Sequence, residues 1–379
     1  MGLNNAINAV NILKGYVNDA YNVIENKGGE LPDIKNMFNM ANAIDNIPSG
    51  GDSGGIPYGA TNLDNMFSSA FNFNEPVTIP NTVISAAYMF SSCPDFNQPI
   101  IIPASVISAP GIFNNATNFN SSVNIENGVQ YIYNMFRSSK NFNQPITIPG
   151  SVTNVYNLFN GATSFNSNVT IENGVTSLSY MFSSCPNFNQ PITIPASVTS
   201  VENMFQYATN FNSSVNIQHN SQSLFRIFSN APTFNQQVII PNTVSNISYM
   251  FSNCTRYNQQ VIINNGIISA VGLFSGCTNF DQNITIPDTV NITSLMFVGC
   301  NNLTMFNHYT VPIETNILMI NMFRNCSNLL GNSRNFFSYS NGVNINTWEL
   351  PPAGLNTRNC FNGCVNLEDY ASIHVNWRS

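Results

Sequence analysis

Acid–base chemistry in this chain would have to come from very few side chains. Its 379 residues include three histidines, His219, His308 and His374, and none stands at a catalytic spacing from a Ser/Asp or Cys partner. Glu126 and Glu172 are carboxylates at equivalent places in a repeated pattern. If two stacked turns separate them, they lie about 9.6 Å apart at the usual strand spacing. That is just beyond the roughly 6.5–9.5 Å used by inverting glycosidases. The next equivalents are Gln218 and Asn264, so the carboxylates read as an edge feature rather than the walls of a cleft. No phosphate loop, zinc spacing or calcium-loop pattern occurs. The expectation is a protein that is not an enzyme, with no catalytic residue, no cofactor and no metal site.

The eight cysteines follow position rather than pairing. Cys93, Cys185, Cys254, Cys277, Cys300, Cys326 and Cys364 each come three residues after a phenylalanine, where other copies place Ala70, Ala116, Ala162, Ala208 and Ala231. A slot shared with alanine takes a small apolar group, and free cysteine behaves as one. Cys360 and Cys364 make a lone C-x-x-x-C, well short of a zinc pattern. Buried, reduced thiols are expected.

Those phenylalanines set the architecture. Phe67, Phe90, Phe113, Phe136, Phe159, Phe182, Phe205, Phe228, Phe251, Phe274 and Phe297 are evenly spaced by 23 residues, nearly all in a Met-Phe, Leu-Phe or Ile-Phe pair. So strict a period defines a solenoid whose turns bury their apolar faces against one another. Twelve residues after each of the first ten comes an isoleucine, from Ile79 to Ile286, and two residues before that another aliphatic, such as Val77, Ile100 or Val123. This alternation describes a short strand with two side chains inward. Stacked strands form a parallel sheet with roughly 4.8 Å per turn, hence about 60 Å for a dozen turns. A ladder of asparagines, Asn74, Asn97, Asn120 and so on to Asn258, sits at one corner, where it is expected to pair backbone groups. Pro103, Pro149, Pro195, Pro241 and Pro287 close alternate strands, giving a two-turn super-period.

The fold class expected is an α/β-type repeat solenoid, leucine-rich-repeat-like, with one short strand per turn and a small N-terminal helical module. In residues 1–48, Val10, Leu13, Val17, Ala20, Tyr21 and Ile24 follow helical spacing, and Ile34, Met37, Phe38, Ala41 and Ile44 share one side of a second helix. Two such helices have too little core to stand alone, so Leu13, Val17, Tyr21, Ile24, Met37 and Phe38 are candidate anchoring residues. Residues 49–57 form a Gly-rich linker and 58–330 the solenoid. In 331–379 the spacing loosens, and both tryptophans, Trp348 and Trp377, fall in this capping region. Charged residues are 8% and the net charge is −7, so nucleic acid and anionic membrane are not expected partners. No secretory signal, myristoylation pattern or membrane span is visible.

Turns such as Pro191 to Phe205 (P-I-T-I-P-A-S-V-T-S-V-E-N-M-F) resemble BspA-like leucine-rich repeats. The Phe188-Asn189-Gln190 motif resembles related phenylalanine-rich bacterial surface repeats, with phenylalanine where the class usually has leucine. Residues 11–48, with Tyr21 to Gly29 followed by Leu31-Pro32 and Lys35-Asn36, are similar to segments that begin tail and fibre proteins of phages of gut bacteria. Together these resemblances imply a virion structural protein, a head or tail fibre on the virion exterior. Residues 1–48 would contact other virion proteins and the solenoid a host cell-surface glycan or protein. Closed symmetry with three copies is the favoured assembly. The alternative is a BspA-like adhesin on a bacterial cell surface.

If the solenoid recognises anything, the residue between the two inward positions of each strand is free to do so. These residues are Thr78, Ile101, Asn124, Thr147, Thr170, Thr193, Asn216, Ile239, Ile262 and Thr285, one stripe along the sheet. A second candidate face carries Tyr88, Tyr133, Tyr156, Tyr180 and Tyr249, whose rings could stack on sugars or a protein.

Overall fold

The structure, a computed structural model, describes residues 17, 20, 21, 55–57, 59–217, 220–312 and 316–379. The expected anchoring residues Leu13, Ile24, Met37 and Phe38, most of the Gly-rich linker, and His219 lie outside these. Val17, Ala20 and Tyr21 are helical, with Tyr21 buried and Val17 half-buried.

From Ile56 onward the chain winds as a solenoid around one continuous apolar core. Most turns contribute two phenylalanines to that core, with Tyr257, Leu303 and Leu329 in the second place of later turns, and the rings form a double column. Phe90 stacks on Phe96 of its own turn at 3.9 Å and on Phe113 of the next at 5.7 Å. The motif repeats through Phe182–Phe188 (3.9 Å) and Phe182–Phe205 (5.5 Å). Stacked rings bury much apolar area and add a specific geometry on top of it. The column continues across the altered spacings, Phe297 to Phe323 at 5.3 Å and Phe323 to Phe361 at 5.6 Å. It ends beneath Trp377, fully buried at 5.7 Å from Phe337 and 6.1 Å from Phe361.

The expected strands form where the isoleucines alternate. They are β1 (Ile100–Ile102), β2 (Val123–Ile125), β3 (Ile146–Ile148), β4 (Val169–Ile171), β5 (Ile192–Ile194) and β6 (Val215–Ile217), each with its middle side chain outward. Further on, β7 (Thr285–Ile286), β8 (His308–Val311) and β10 (Phe337–Tyr339) share a parallel sheet, and β9 (Ile317–Leu318) pairs with β11 (Leu355–Asn356).

The expected continuous sheet is instead cut into pairs: β1 with β2, β3 with β4, β5 with β6. Proline explains the cuts. In β3 the Ile146 N–H points forward, to the Asn168 carbonyl at 3.1 Å, while in β4 the Glu172 N–H points back to Ile148 at 3.0 Å. The backward donors of the β3 turn are therefore residues 145, 147 and 149, and two of them are Pro145 and Pro149, which have no N–H. Pro191 and Pro195 bracket β5 in the same way. In the turns around residues 77–79, 238–240 and 261–263 no strand forms, so one strand per turn overstates the order.

The α/β expectation also needs correction. Among the described residues of the solenoid and cap, the one α-helix is Val375–Arg378. The Met-Phe stretch, on the other side of each turn, is a chain of tight turns. Met66 donates to Leu63 O and Ser68 to Asn65 O, while Asn65, Phe67 and Ser69 donate to Ala87, Met89 and Ser91 of the next turn. Asn65 and Ser69 both have φ near +60°, and the same two places are left-handed in turn after turn. A left-handed residue every four positions is incompatible with a right-handed helix. Beside this stretch runs a second column of parallel bridges, from Asn62–Ser85 through Ser177–Ser200.

The asparagine corner pairs backbone as expected. Each side-chain Oδ1 accepts the N–H of the equivalent residue one turn on, at 2.7–2.8 Å from Asn97→Asn74 to Asn258→Asn235. Asp281 and Thr304 extend the ladder at 2.9 and 2.8 Å. The amides thus satisfy donors that each turn's bend would leave unpaired.

All eight cysteines are buried and free. The slot after the phenylalanine has a polar side too, because the thiol donates to a carbonyl of an earlier turn: Cys185 to Phe159 O at 2.8 Å and Cys277 to Phe251 O at 3.0 Å. Ser139 fills the same slot and donates to Phe113 O at 2.5 Å. Burial raises the cysteine pKa values, that of Cys364 to about 12. Two results are expected. Without reductant, all eight thiols should titrate in denaturant and almost none in native protein; fewer than about seven in denaturant would defeat the reduced core. Stability should be unaffected by these groups below the unfolded thiol pKa of about 8.5, and should fall above it, because only the unfolded chain then ionises. Denaturation midpoints at pH 7 and pH 10 check the sign.

Candidate recognition surface

Every residue of the expected stripe, from Thr78 to Thr285, is exposed, because the two flanking side chains of its strand face the phenylalanine column. Register aligns neighbours within each pair, Ile101 with Asn124, Thr147 with Thr170, and Thr193 with Asn216. The proline-bracketed cuts therefore group these residues two by two. The stripe is polar over Thr147, Thr170, Thr193, Asn216 and Thr285, but Ile239 is 82% exposed and Ile262 73%. Large aliphatics so open to water on successive turns form an apolar patch on a rigid ladder. Sequence reasoning missed a companion set, Ile84, Ile107 and Ile268, which are also about half exposed. The signal was there, since each directly precedes the serine of the second bridge column.

The tyrosine face is largely committed to packing. Any side chain on Gly111 would collide with the Tyr88 ring, and one on Gly272 with the Tyr249 ring. Tyr249 also lies beneath the Arg226 guanidinium at 5.1 Å and edge-on to Phe225. Tyr156 and Tyr180 meet edge-to-face at 5.4 Å, with Tyr156 the more exposed of the two.

Among the described residues the titratable groups do not converge. Glu126 Oε2 accepts the Ala104 N–H at 2.9 Å and Glu172 Oε2 the Gly150 N–H at 2.9 Å, so each ties its corner to the turn before. Asn264 does related work by donating to Ile240 O at 2.6 Å. His308 Nδ1 lies 3.0 Å from Asn335 O and its Nε2 2.8 Å from Ser338 Oγ, joining β8 to the chain around β10. His374 caps the C-terminal helix, its Nδ1 accepting the Asn376 N–H at 3.2 Å. These contacts are structural, and what the surface offers is a repeating ladder of outward side chains.

Stacked turns, a phenylalanine column and an exposed mid-strand stripe define a leucine-rich-repeat-like solenoid. The model of the family described as "Mycoplasma protein of unknown function, DUF285" matches residues 29–124, 102–193, 148–243, 196–269 and 222–336. The chain belongs to that family. No curated protein matches it in sequence. Among solved structures it is similar to a leucine-rich cell surface protein of Faecalibacterium prausnitzii, with 19% identity, 75% of this chain and 86% of that one covered, and a TM-score of 0.40. A leucine-rich-repeat protein of Bacteroides ovatus is 18% identical over 75% and 69% of the two chains, with a TM-score of 0.49. The pneumococcal vaccine antigen PcpA is 17% identical over 75% and 80%, with a TM-score of 0.48. The resemblance of residues 11–48 to phage tail and fibre segments finds no counterpart in these comparisons.

Proposed function

We propose that this chain is a non-enzymatic recognition protein of a bacterial cell surface, in which the solenoid holds a repeating ligand along its mid-strand stripe. The observation that carries this reading is the stripe itself: ten outward residues at equivalent places on successive turns, polar over most of its length and aliphatic at Ile101, Ile239 and Ile262. Side chains fixed at strand spacing suit an extended polymer, a surface polysaccharide above all, because preorganised groups lose little freedom on binding. The family match supports a bacterial rather than a virion setting. It starts at residue 29, so the second half of the segment that suggested a phage fibre is matched together with the repeats. The virion reading rests on residues 11–48 alone.

Purified chain applied to an array of bacterial and host surface glycans tests the proposal. Substituting Ile239→Lys and Ile262→Lys together should leave the fold intact, since both side chains point to water, and should weaken capture about tenfold or more. Undiminished capture by a folded double variant would remove the stripe from consideration. Labelling of intact producing cells by an antibody against the solenoid tests the location independently.

A further inference from the structure

Past Thr285 the stripe runs into a polar pocket. Thr285 aligns with His308 in the sheet, and Tyr309 aligns with Phe337 of β10. Tyr309 and Phe337 are buried in the core, so His308 takes the outward place of its strand. Beyond β10 the chain folds back on itself. Tyr339 donates its N–H to Val343 O at 2.8 Å and Ile345 to Phe337 O at 3.0 Å, while Ser338 bridges antiparallel to Asn344. This hairpin covers the outer edge of β10. It closes the path along the sheet about two strand spacings, roughly 9.6 Å, past Thr285.

Between the hairpin and the single 3-10 turn Ser333–Asn335 lies a cavity of about 270 Å³, lined by Asn332, Arg334, Asn335, Asn344, Ile345 and Asn346. Ile345 is buried and supplies the apolar floor. Asn332 Oδ1 accepts the Arg334 N–H at 3.1 Å, which leaves its Nδ2 to donate. The side-chain amides of Asn335 and Asn344 are exposed and hold no hydrogen bond among the described residues. The Arg334 guanidinium lies over the Trp348 ring, 4.7 Å from its centroid, and meets no carboxylate among the described residues. The carboxylates of the flanking chain are already engaged. Glu349 accepts from Asn346 Nδ2 at 2.6 Å, and Asp369 from Ser333 Oγ and Trp348 Nε1 at 2.7 Å each. What the pocket offers is therefore a set of donors, one of them cationic, above an apolar floor.

We infer that this pocket holds one acidic sugar unit, a hexuronate, at the end of the polymer that the stripe carries. Its carboxylate pairs with Arg334, its hydroxyls meet the amides of Asn332, Asn335 and Asn344, and its apolar ring face rests on Ile345. A guanidinium matches a carboxylate with two parallel hydrogen bonds. Stacking on Trp348 holds that fork in place, so little freedom is lost on binding. The end of the chain is the part received, because the hairpin bars any continuation. This inference rests on the polysaccharide reading of the stripe and adds to it a terminus and a charge.

D-glucuronate and D-galacturonate are the probes, since a single unit is too short to span from the pocket to the stripe. Tryptophan fluorescence of the full chain gives the signal: Trp348 is 41% exposed, whereas Trp377 is fully buried. One hexuronate or both should bind with Kd on the order of 1–10 mM, and D-galactose and acetate at least about tenfold more weakly. Arg334→Gln and Asn344→Ala should each weaken binding about tenfold; should the first fail to fold, the second decides alone. A hexagalacturonate should bind about tenfold more tightly than the monomer, by reaching along the sheet. Absence of hexuronate binding by about 50 mM, or binding indifferent to both substitutions, would overturn the pocket and leave the stripe standing. Acetate binding as tightly as a hexuronate would overturn the sugar, and a hexamer no tighter than the monomer would overturn the link to the stripe. The stripe itself fails by a different result, undiminished glycan capture by the Ile239→Lys, Ile262→Lys variant.

Discussion

Replacing Phe182 by alanine should lower the free energy of unfolding by about 3–5 kcal/mol. The ring is fully buried and stacks on Phe159, Phe188 and Phe205 at 5.5, 3.9 and 5.5 Å. Truncating it therefore damages the interface with the turn before and the turn after. In a solenoid stability is close to a sum of such nearest-neighbour terms, so a break in mid-column weakens the link between two otherwise sound halves. Guanidinium unfolding followed by fluorescence and circular dichroism should show a lower midpoint, with the two signals separating as the halves uncouple. A midpoint matching that of the parent chain would mean that the column is not what holds the turns together.

A methyl group added at Gly174 should be almost as damaging, by a different route. The residue has φ +125°, a region that L-amino acids rarely enter, and its new Cβ would lie 2.1 Å from the Gly150 carbonyl oxygen. Backbone cannot swing aside as the tip of a side chain can. The substitution must also disturb the 2.9 Å bond from Gly174 N–H to Ser197 Oγ. Gly174→Ala is expected to cost about 3 kcal/mol, the upper end of the roughly 1–3 kcal/mol of backbone strain, because the close approach adds to it. Gly299 supplies the control, having φ +70° but no atom within 4 Å of the place its methyl would take. Gly299→Ala should cost only about 1–2 kcal/mol. Equal losses in the two variants, measured by thermal melting, would show that close approach plays no part.

Much of this architecture is readable from residue types because the repeat is strict. The phenylalanine register identifies the core, the isoleucine alternation identifies the inward and outward faces, and the asparagines announce a ladder of amide-to-backbone bonds. The pairing of strands is not readable in the same way, although Pro145, Pro149, Pro191 and Pro195 are in plain view. A proline interrupts a parallel ladder only if its missing N–H would have pointed at that neighbour, and this parity emerges only once the strands are placed. The turn stretch escapes sequence reasoning for a related reason. Tyr88, Tyr180, Arg226 and Tyr249 adopt positive φ, which no sequence rule would assign to them, and they do so because the ladder to the next turn imposes it. The exposed stripe is fully legible, since it follows from alternation alone. The C-terminal turns are not, because the steps from Phe297 to Phe323 and from Phe323 to Phe361 leave the regular period.

The proline-bracketed strands have a bearing on how such a chain can change in length. The bracketed strands β1 and β3 each pair forward with an unbracketed one whose corner residue, Glu126 or Glu172, reaches back to cap it. Deleting an unbracketed copy would set two bracketed strands side by side, as already happens where the Pro76–Pro80 turn, which forms no strand, precedes β1, and would remove a cap. Deleting or adding two copies keeps every forward partner and every cap in place. Variants of this protein are accordingly expected to differ by whole double turns, so that the stripe gains or loses outward residues in twos.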